Sequence, residues 1–176
     1  MYKFALALTV LTATSSAVAT TVLTEQNIAR LEAALPELAA IEQDNPQGLT
    51  KLRLKKHCDW QQHASDLRQQ EQGKAYVAEV DQVLAKHQLT APLFLELTAK
   101  GSWPLLQSLQ PVQQLTRQSL PFLPEPQRRI AEQKIQQTEQ MQQAIEPCLT
   151  AADKTALQHH KQRLLKLATS LPGAAF

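Results

Sequence analysis

The chain has 176 residues, of which 43% are hydrophobic and 19% are charged, and its formal net charge is +2. This length allows one domain to bury a core, and the nearly neutral charge argues against a protein that coats nucleic acid. Helix formers such as Leu, Ala, Gln, Glu and Lys make up much of the chain, whereas glycine and strand-favouring residues are few. The composition therefore predicts an all-α fold, expected to be a compact bundle of five to seven helices.

Residues 1–19 have the parts of a cleavable export signal. An apolar stretch follows a single lysine, and Ala17-Val18-Ala19 satisfies the small-residue rule for signal peptidase. We predict cleavage after Ala19 and a single helical domain over 20–176, in the periplasm or outside the cell. An uncleaved anchor is the alternative, but residues 4–23 reach the roughly 20 residues of a membrane span only by including several Thr and Ser. No later segment is suited to span a bilayer, so the mature chain is not expected to do so.

The first mature helix is predicted to begin after Thr24, whose hydroxyl can cap it, and Pro36 should kink or restart this helix. A second helical segment, 49–72, places Trp60 and Cys58 on nearly opposite faces, which predicts a helix packed on both sides. Gly73 is expected either to break the chain before a third helix or only to weaken one long helix.

The second half of the chain begins with a helix predicted from Thr90. Five prolines then predict an irregular connector over about 101–126 that contains short helices. Its end, 120–126, should be extended, with Phe122 anchored in the core, and a polyproline-type docking ligand is the alternative interpretation. The clearest amphipathic helix follows over 127–146.

The last helix is predicted from Thr150 to about Ser170. Asp153 stands at the third helical position, so this start is close to a capping box.

Cys58 and Cys148 are the only two cysteines. They form no C-x-x-C motif and no cluster with other metal ligands, so their spacing favours a structural disulfide over a redox or metal pair. The bond would join the second helix to the turn before the last helix. The last helix is then expected to pack beside the face that carries Cys58.

The histidines and the basic run are expected to lie on the surface. His57 and His63 are six residues apart, so they should not share a helical face, and a copper or zinc site from His57 and His159 is the less favoured alternative. The run over 51–57 distributes its charges around a helix, which favours a solvated face over a patch for anionic lipid or glycan.

The sequence lacks G-x-S-x-G, H-E-x-x-H, a phosphate-binding glycine loop and a Cys/His nucleophile pattern. We therefore expect no enzyme, no catalytic residue, no cofactor and no metal. The sequence does not identify ligand-binding residues.

Two similar helix starts carry a resemblance to a known family. They are Leu23-Thr24-Glu25-Gln26-Asn27 and Leu149-Thr150-Ala151-Ala152-Asp153, in a glutamine-rich chain. The pattern resembles the L-T-x-x-Q family of periplasmic stress chaperones, such as Spy and CpxP. The first copy has its Gln one place early, and the second has Asp instead. The resemblance implies a thin helical cradle that binds unfolded clients.

A second likeness lies in Ala85-Lys86-His87-Gln88-Leu89-Thr90, which leads into a helix with Phe94. It is similar to uncharacterised small secreted all-helical proteobacterial proteins, a family without a known activity.

The expected function is that of a non-catalytic, helical binding or chaperone-like accessory protein of the periplasm. Its expected partners are envelope proteins or unfolded protein clients, and not nucleic acid. The alternative is a periplasmic protein that binds a small ligand or a metal. That alternative needs a pocket lined by Trp60, Trp103 and Tyr76, or a pair of His57 and His159.

Overall fold

The computed structural model describes residues 20–44, 56–70 and 74–170, and over these residues the chain is helical and contains no strand. The α-helices are α1 (Glu25–Asp44), α2 (Trp60–Arg68), α3 (Lys74–Lys86), α4 (Ala91–Gly101), α5 (Trp103–Ser108), α6 (Gln110–Ser119), α7 (Glu125–Ile145), α8 (Ala151–His159) and α9 (Lys161–Ser170). Single residues separate α4 from α5, α5 from α6 and α8 from α9, so these nine segments form six helical runs. The predicted all-α class is confirmed.

Several predicted features lie outside the described residues. They are the export signal over 1–19, the first part of the second segment over 49–55, and Gly73. None of the described helices is long and apolar enough to cross a membrane.

Threonine hydroxyls begin three helices at the predicted positions. The Thr24 Oγ1 accepts a hydrogen bond from the Asn27 backbone at 3.2 Å, and Thr90 caps α4 in the same way. At α8, Thr150 and Asp153 exchange the two hydrogen bonds of a complete capping box. Each cap satisfies amide groups that a helix start would otherwise leave unpaired.

The second segment differs from its prediction because a cap intervenes. The Asp59 carboxylate accepts a hydrogen bond from the Gln62 amide at 2.8 Å, so α2 begins at Trp60 and Cys58 lies before the helix. The predicted helical face that carries Cys58 therefore does not exist. Instead, α2 packs chiefly on α4, and α9 packs on α5. The chain also continues through Pro36 without restarting α1.

The region 101–126 is more regular than its prolines suggested. Prolines stand at the first or second position of α5, α6 and α7, where a missing amide hydrogen costs little, so they begin helices rather than interrupt them. The stretch predicted to be extended begins with a 3-10 turn over Leu120–Phe122. The Phe122 side chain is 85% exposed, so the prediction that it anchors the chain to the core is wrong.

The core consists of two groups of buried side chains. The larger group lies among α1, α2, α4, α5, α7, α8 and α9, and it includes the fully buried Ile28, Leu97 and Leu106. The smaller group joins α1 to α3 and the start of α4 around Leu38 and Leu84. Both groups leave α6 aside, since α6 buries none of its side chains.

A buried ion pair joins distant parts of the chain. The Lys100 Nζ lies 2.8 Å from Asp153 Oδ2 and 2.7 Å from Glu96 Oε1, and the Asp153 side chain is almost fully buried. The other oxygen of Asp153 accepts a hydrogen bond from the Thr21 hydroxyl at 2.6 Å. The backbone N–H and the hydroxyl of Thr150 also donate to Asp153 Oδ2, so both oxygens of this carboxylate have hydrogen-bond partners. The pair therefore links the segment before α1 to α4 and α8.

The surroundings hold both members of this pair in their charged forms. Burial alone would raise the pKa of Asp153, but hydrogen bonds from Lys100, Thr21 and Thr150 outweigh it and lower that pKa overall. Burial alone would likewise lower the pKa of Lys100, but its bonds to Asp153 and Glu96 raise it. Asp153 therefore stabilises the fold above the ordinary carboxyl range, and this contribution is lost as the pH falls through its folded pKa.

The predicted disulfide between Cys58 and Cys148 is confirmed, with Cα atoms 5.4 Å apart. It ties the segment before α2 to the 3-10 turn Glu146–Cys148, which follows α7. Because the two cysteines are 90 residues apart, the bond closes a long loop in the unfolded chain.

Replacing Lys100 with Met should destabilise the protein by about 3–5 kcal/mol, because the buried Asp153 carboxylate loses its cation. Urea unfolding at pH 7 measures the difference. The control is Arg68→Ala, which removes the exposed pair with Asp81 and should cost less than about 1 kcal/mol. The deficit of Lys100→Met should shrink as the pH falls from 7 into the acid range, because protonation neutralises the buried carboxyl and the missing cation then costs less. A deficit that is equal at pH 7 and pH 3 would contradict this assignment.

Reduction of the disulfide should remove about 4–5 kcal/mol of loop-closure stabilisation. Thermal melts with and without reductant should therefore differ by on the order of 10 °C. A variant with Cys58→Ala and Cys148→Ala is the matched control. Its melting temperature should be low and should not change when reductant is added. An unchanged melt of the reduced natural chain would show that the cross-link adds nothing.

Candidate binding groove

Exposed large apolar side chains concentrate at one place in the described structure. They are Val112 at 56% exposure, Leu115 at 64%, Phe122 at 85% and Ile130 at 58%. All four belong to α6, the following 3-10 turn or the first half of α7, which together form a helical hairpin, here called the α6–α7 hairpin. Elsewhere in the described residues, large apolar side chains are at least partly buried.

The two helices of the hairpin enclose an open groove with a volume of about 390 Å³. Its lining residues are Leu109, Val112, Gln113, Thr116, Gln127, Ile130, Ala131, Lys134, Ile135 and Thr138. On α7 these positions recur at three- and four-residue spacing, as do those on α6, so each wall is one face of a helix. The surface that lines the groove is mostly apolar, and only one of its polar residues, Lys134, is charged.

Only one end of the hairpin is fastened to the core. The second half of α7 buries Ile135, Ala144 and Ile145, and the Gln142 amide donates to the Leu106 carbonyl oxygen at 3.1 Å. In the first half of α7, over 125–134, no side chain is buried. The free half therefore extends its apolar side chains into solvent with few tertiary partners.

Ion pairs on the hairpin leave the groove almost without charge. Arg117 of α6 pairs with Glu139 of α7, and Arg128 and Arg129 both pair with Glu125. These pairs are exposed, so each adds little stability. These pairs neutralise the charges that flank the groove. The one charged residue that lines the groove is Lys134.

Gln113 brings an unsatisfied donor to the groove. Its side-chain nitrogen is buried and has no hydrogen-bond partner in the described structure. Leaving a buried polar group unpaired costs about 1–3 kcal/mol. The side chain lines the groove, so rotation of its amide can present this donor to a bound segment.

The side chains that the sequence offered for a small-ligand pocket are packed elsewhere. Trp60 belongs to the larger core group, Trp103 is partly buried against it, and Tyr76 of α3 is buried. The three therefore act as core residues rather than as walls of an open pocket.

Four of the five histidines form two separate pairs. His57 stacks on His63 with ring centroids 4.1 Å apart, whereas His159 meets His160 at 4.6 Å. His57 precedes α2 and so shares no helical face with His63, as expected, but its backbone oxygen lies 3.1 Å from the His63 ring. The expectation that the histidines lie on the surface is wrong for His63, which is buried. His57 and His159 are not brought together. In the part of the chain that the structure describes, no three His, Cys, Asp or Glu side chains are arranged to hold a metal ion.

The sequence contains a weak signal for the groove that its prolines concealed. Leu109, Val112 and Thr116 are spaced as one helical face, but Pro111 and Pro121 suggested a broken connector instead. An amphipathic helix was predicted for α7, but the sequence did not single out the exposed Ile130.

No protein-family model, no curated protein and no solved structure matches this chain.

Proposed function

We propose that this protein is a non-catalytic accessory protein of the periplasm that binds apolar segments of other polypeptides in the groove of the α6–α7 hairpin. The observation that carries the proposal is the concentration of exposed apolar side chains on this hairpin. Contiguous apolar surface of this kind is typical of interaction sites, since a monomer gains nothing from exposing it.

The shape of the groove favours a polypeptide over a small molecule. Pockets for small ligands commonly enclose most of the ligand surface. Here Val112 and Ile130, on opposite walls, are both more than half exposed, so a small apolar molecule would remain largely in water. An extended or helical segment covers both walls at once and buries more apolar area.

The proposed compartment rests on two further observations. The disulfide is a type of cross-link that persists in oxidising compartments, and residues 1–19 have the pattern of an export signal. A covalently tied core also suits an accessory protein that meets unfolded chains, because its own unfolding is opposed by the cross-link.

A client-aggregation assay tests the binding function. Citrate synthase unfolded in guanidinium is diluted into buffer that contains the oxidised protein, and light scattering follows aggregation. We expect a molar excess of the natural chain to reduce the scattering, and the double variant Val112→Gln, Ile130→Gln to lose at least half of this effect, since both groove walls lose apolar area.

The control variant is Gln136→Ala, which lies about 180° around α7 from the groove-lining residues and should retain full suppression. Both variants change exposed positions, so their unfolding free energies should stay within about 0.5 kcal/mol of the natural value. Equal suppression by the double variant and the natural chain would refute binding in the groove. A natural chain that suppresses nothing would refute the proposed activity.

A further inference from the structure

We infer that the segment bound in this groove is an acidic amphipathic helix, with one apolar face and carboxylates beside that face. This inference rests on the proposed function and specifies the chemistry of its partner. It follows from the length of the groove, the sign of its unpaired groups and the poor fit of other occupants.

The groove is long enough to hold an α-helix of about three turns. Its α7 wall runs from Gln127 to Thr138, which is about 16 Å at 1.5 Å per residue, or three helical turns. The α6 wall supplies apolar contacts at Leu109 and Val112 opposite this stretch. A third helix laid between two helices presents anchors at i, i+3, i+4 and i+7, which matches walls of this length.

Two unpaired groups of the groove are hydrogen-bond donors. Lys134 lines the groove and makes no ion pair within the described residues, and the Gln113 amide nitrogen has no acceptor there. No carboxylate lines the groove. A bound segment therefore gains most when it brings acceptors, and a carboxylate beside Lys134 meets the one net charge of the site.

The acidic residues of α7 do not already fill this role. Glu125 and Glu139 pair with arginines. Glu132 stands roughly 140° around the helix from the centre of the groove-lining face, so its carboxylate is directed away from Lys134. The positive charge at the groove is consequently left for a partner.

A second copy of this chain fits the site less well. Its own hairpin carries four cations, Arg117, Arg128, Arg129 and Lys134, against three carboxylates, so it offers no surplus of acceptors. An acyl chain with a carboxylate head would satisfy Lys134, but the open walls would leave its tail exposed. These two occupants are therefore outcomes that the experiment must separate from a helix.

The test compares two labelled peptides of equal length and identical leucine stripe, one with glutamates beside the stripe and the other with lysines. Fluorescence anisotropy at pH 7 and low salt gives the affinity of each for the oxidised full chain. We expect the glutamate peptide to bind about 3–5-fold more tightly, as befits an exposed charge pair. Lys134→Glu should reverse the preference and Lys134→Gln should abolish it, whereas Lys154→Glu, on exposed α8 surface, should leave it unchanged.

The outcomes separate this inference from the function on which it rests. If both peptides bind the natural chain equally and Val112→Gln, Ile130→Gln weakens both, the groove binds polypeptides but the acidic preference is wrong. If neither peptide binds, the proposed function itself fails. Displacement of the peptide by sodium dodecanoate at stoichiometric amounts would identify an amphiphile site and overturn the inference.

Two further results would also overturn it. Sedimentation equilibrium that shows a dimer lost in Ile130→Gln would assign the groove to a second copy. A variant that ends at Ser170 and binds either peptide much more tightly than the full chain would identify the last residues of the chain as the occupant.

Discussion

The buried pair of Lys100 and Asp153 is the interaction that most directly holds distant parts of the chain together. An ion pair that is cut off from water is strongly favoured only when both charges remain matched and hydrogen-bonded. Here Thr21, Glu96 and Thr150 complete that matching, so the segment before α1, α4 and α8 must come together for the charges to be satisfied. The disulfide adds the segment before α2 and the end of α7. Neither of these two links involves α6 or the first half of α7.

This division explains why an apolar hairpin persists on the outside. The core group around Leu97 and Leu106, together with the cross-link, supplies the stability that α6 does not contribute. The fold is therefore stable even though Val112 and Ile130 are exposed. The apolar area of these two side chains would be buried only if another chain covered it. The residues that stabilise the fold and those of the proposed binding groove therefore lie on different helices, so substitutions at the groove test the proposal with little change in stability.

The sequence predicted what local chemistry decides and missed what tertiary contacts decide. The threonine starts and the exchange between Thr150 and Asp153 follow from residue type and short-range pattern. The disulfide follows from the presence of only two cysteines in the chain. The partnership of Lys100 with Asp153 spans 53 residues, so no local pattern reveals it. The prolines misled the prediction for 101–126 because the same residue can end one helix or begin the next, and Phe122 was assigned to the core on hydrophobicity alone.

The central claim is that the α6–α7 hairpin is an unpartnered binding element on a fixed core, and hydrogen exchange followed by mass spectrometry tests it most directly. In the free protein we expect the amides of α6 to exchange much faster than those of α4 and α8, because few tertiary contacts protect them. Addition of an apolar helical peptide should slow exchange over 109–138 and nowhere else. An α6 that is as protected as α4 without any partner, or protection that appears outside the hairpin, would contradict the account.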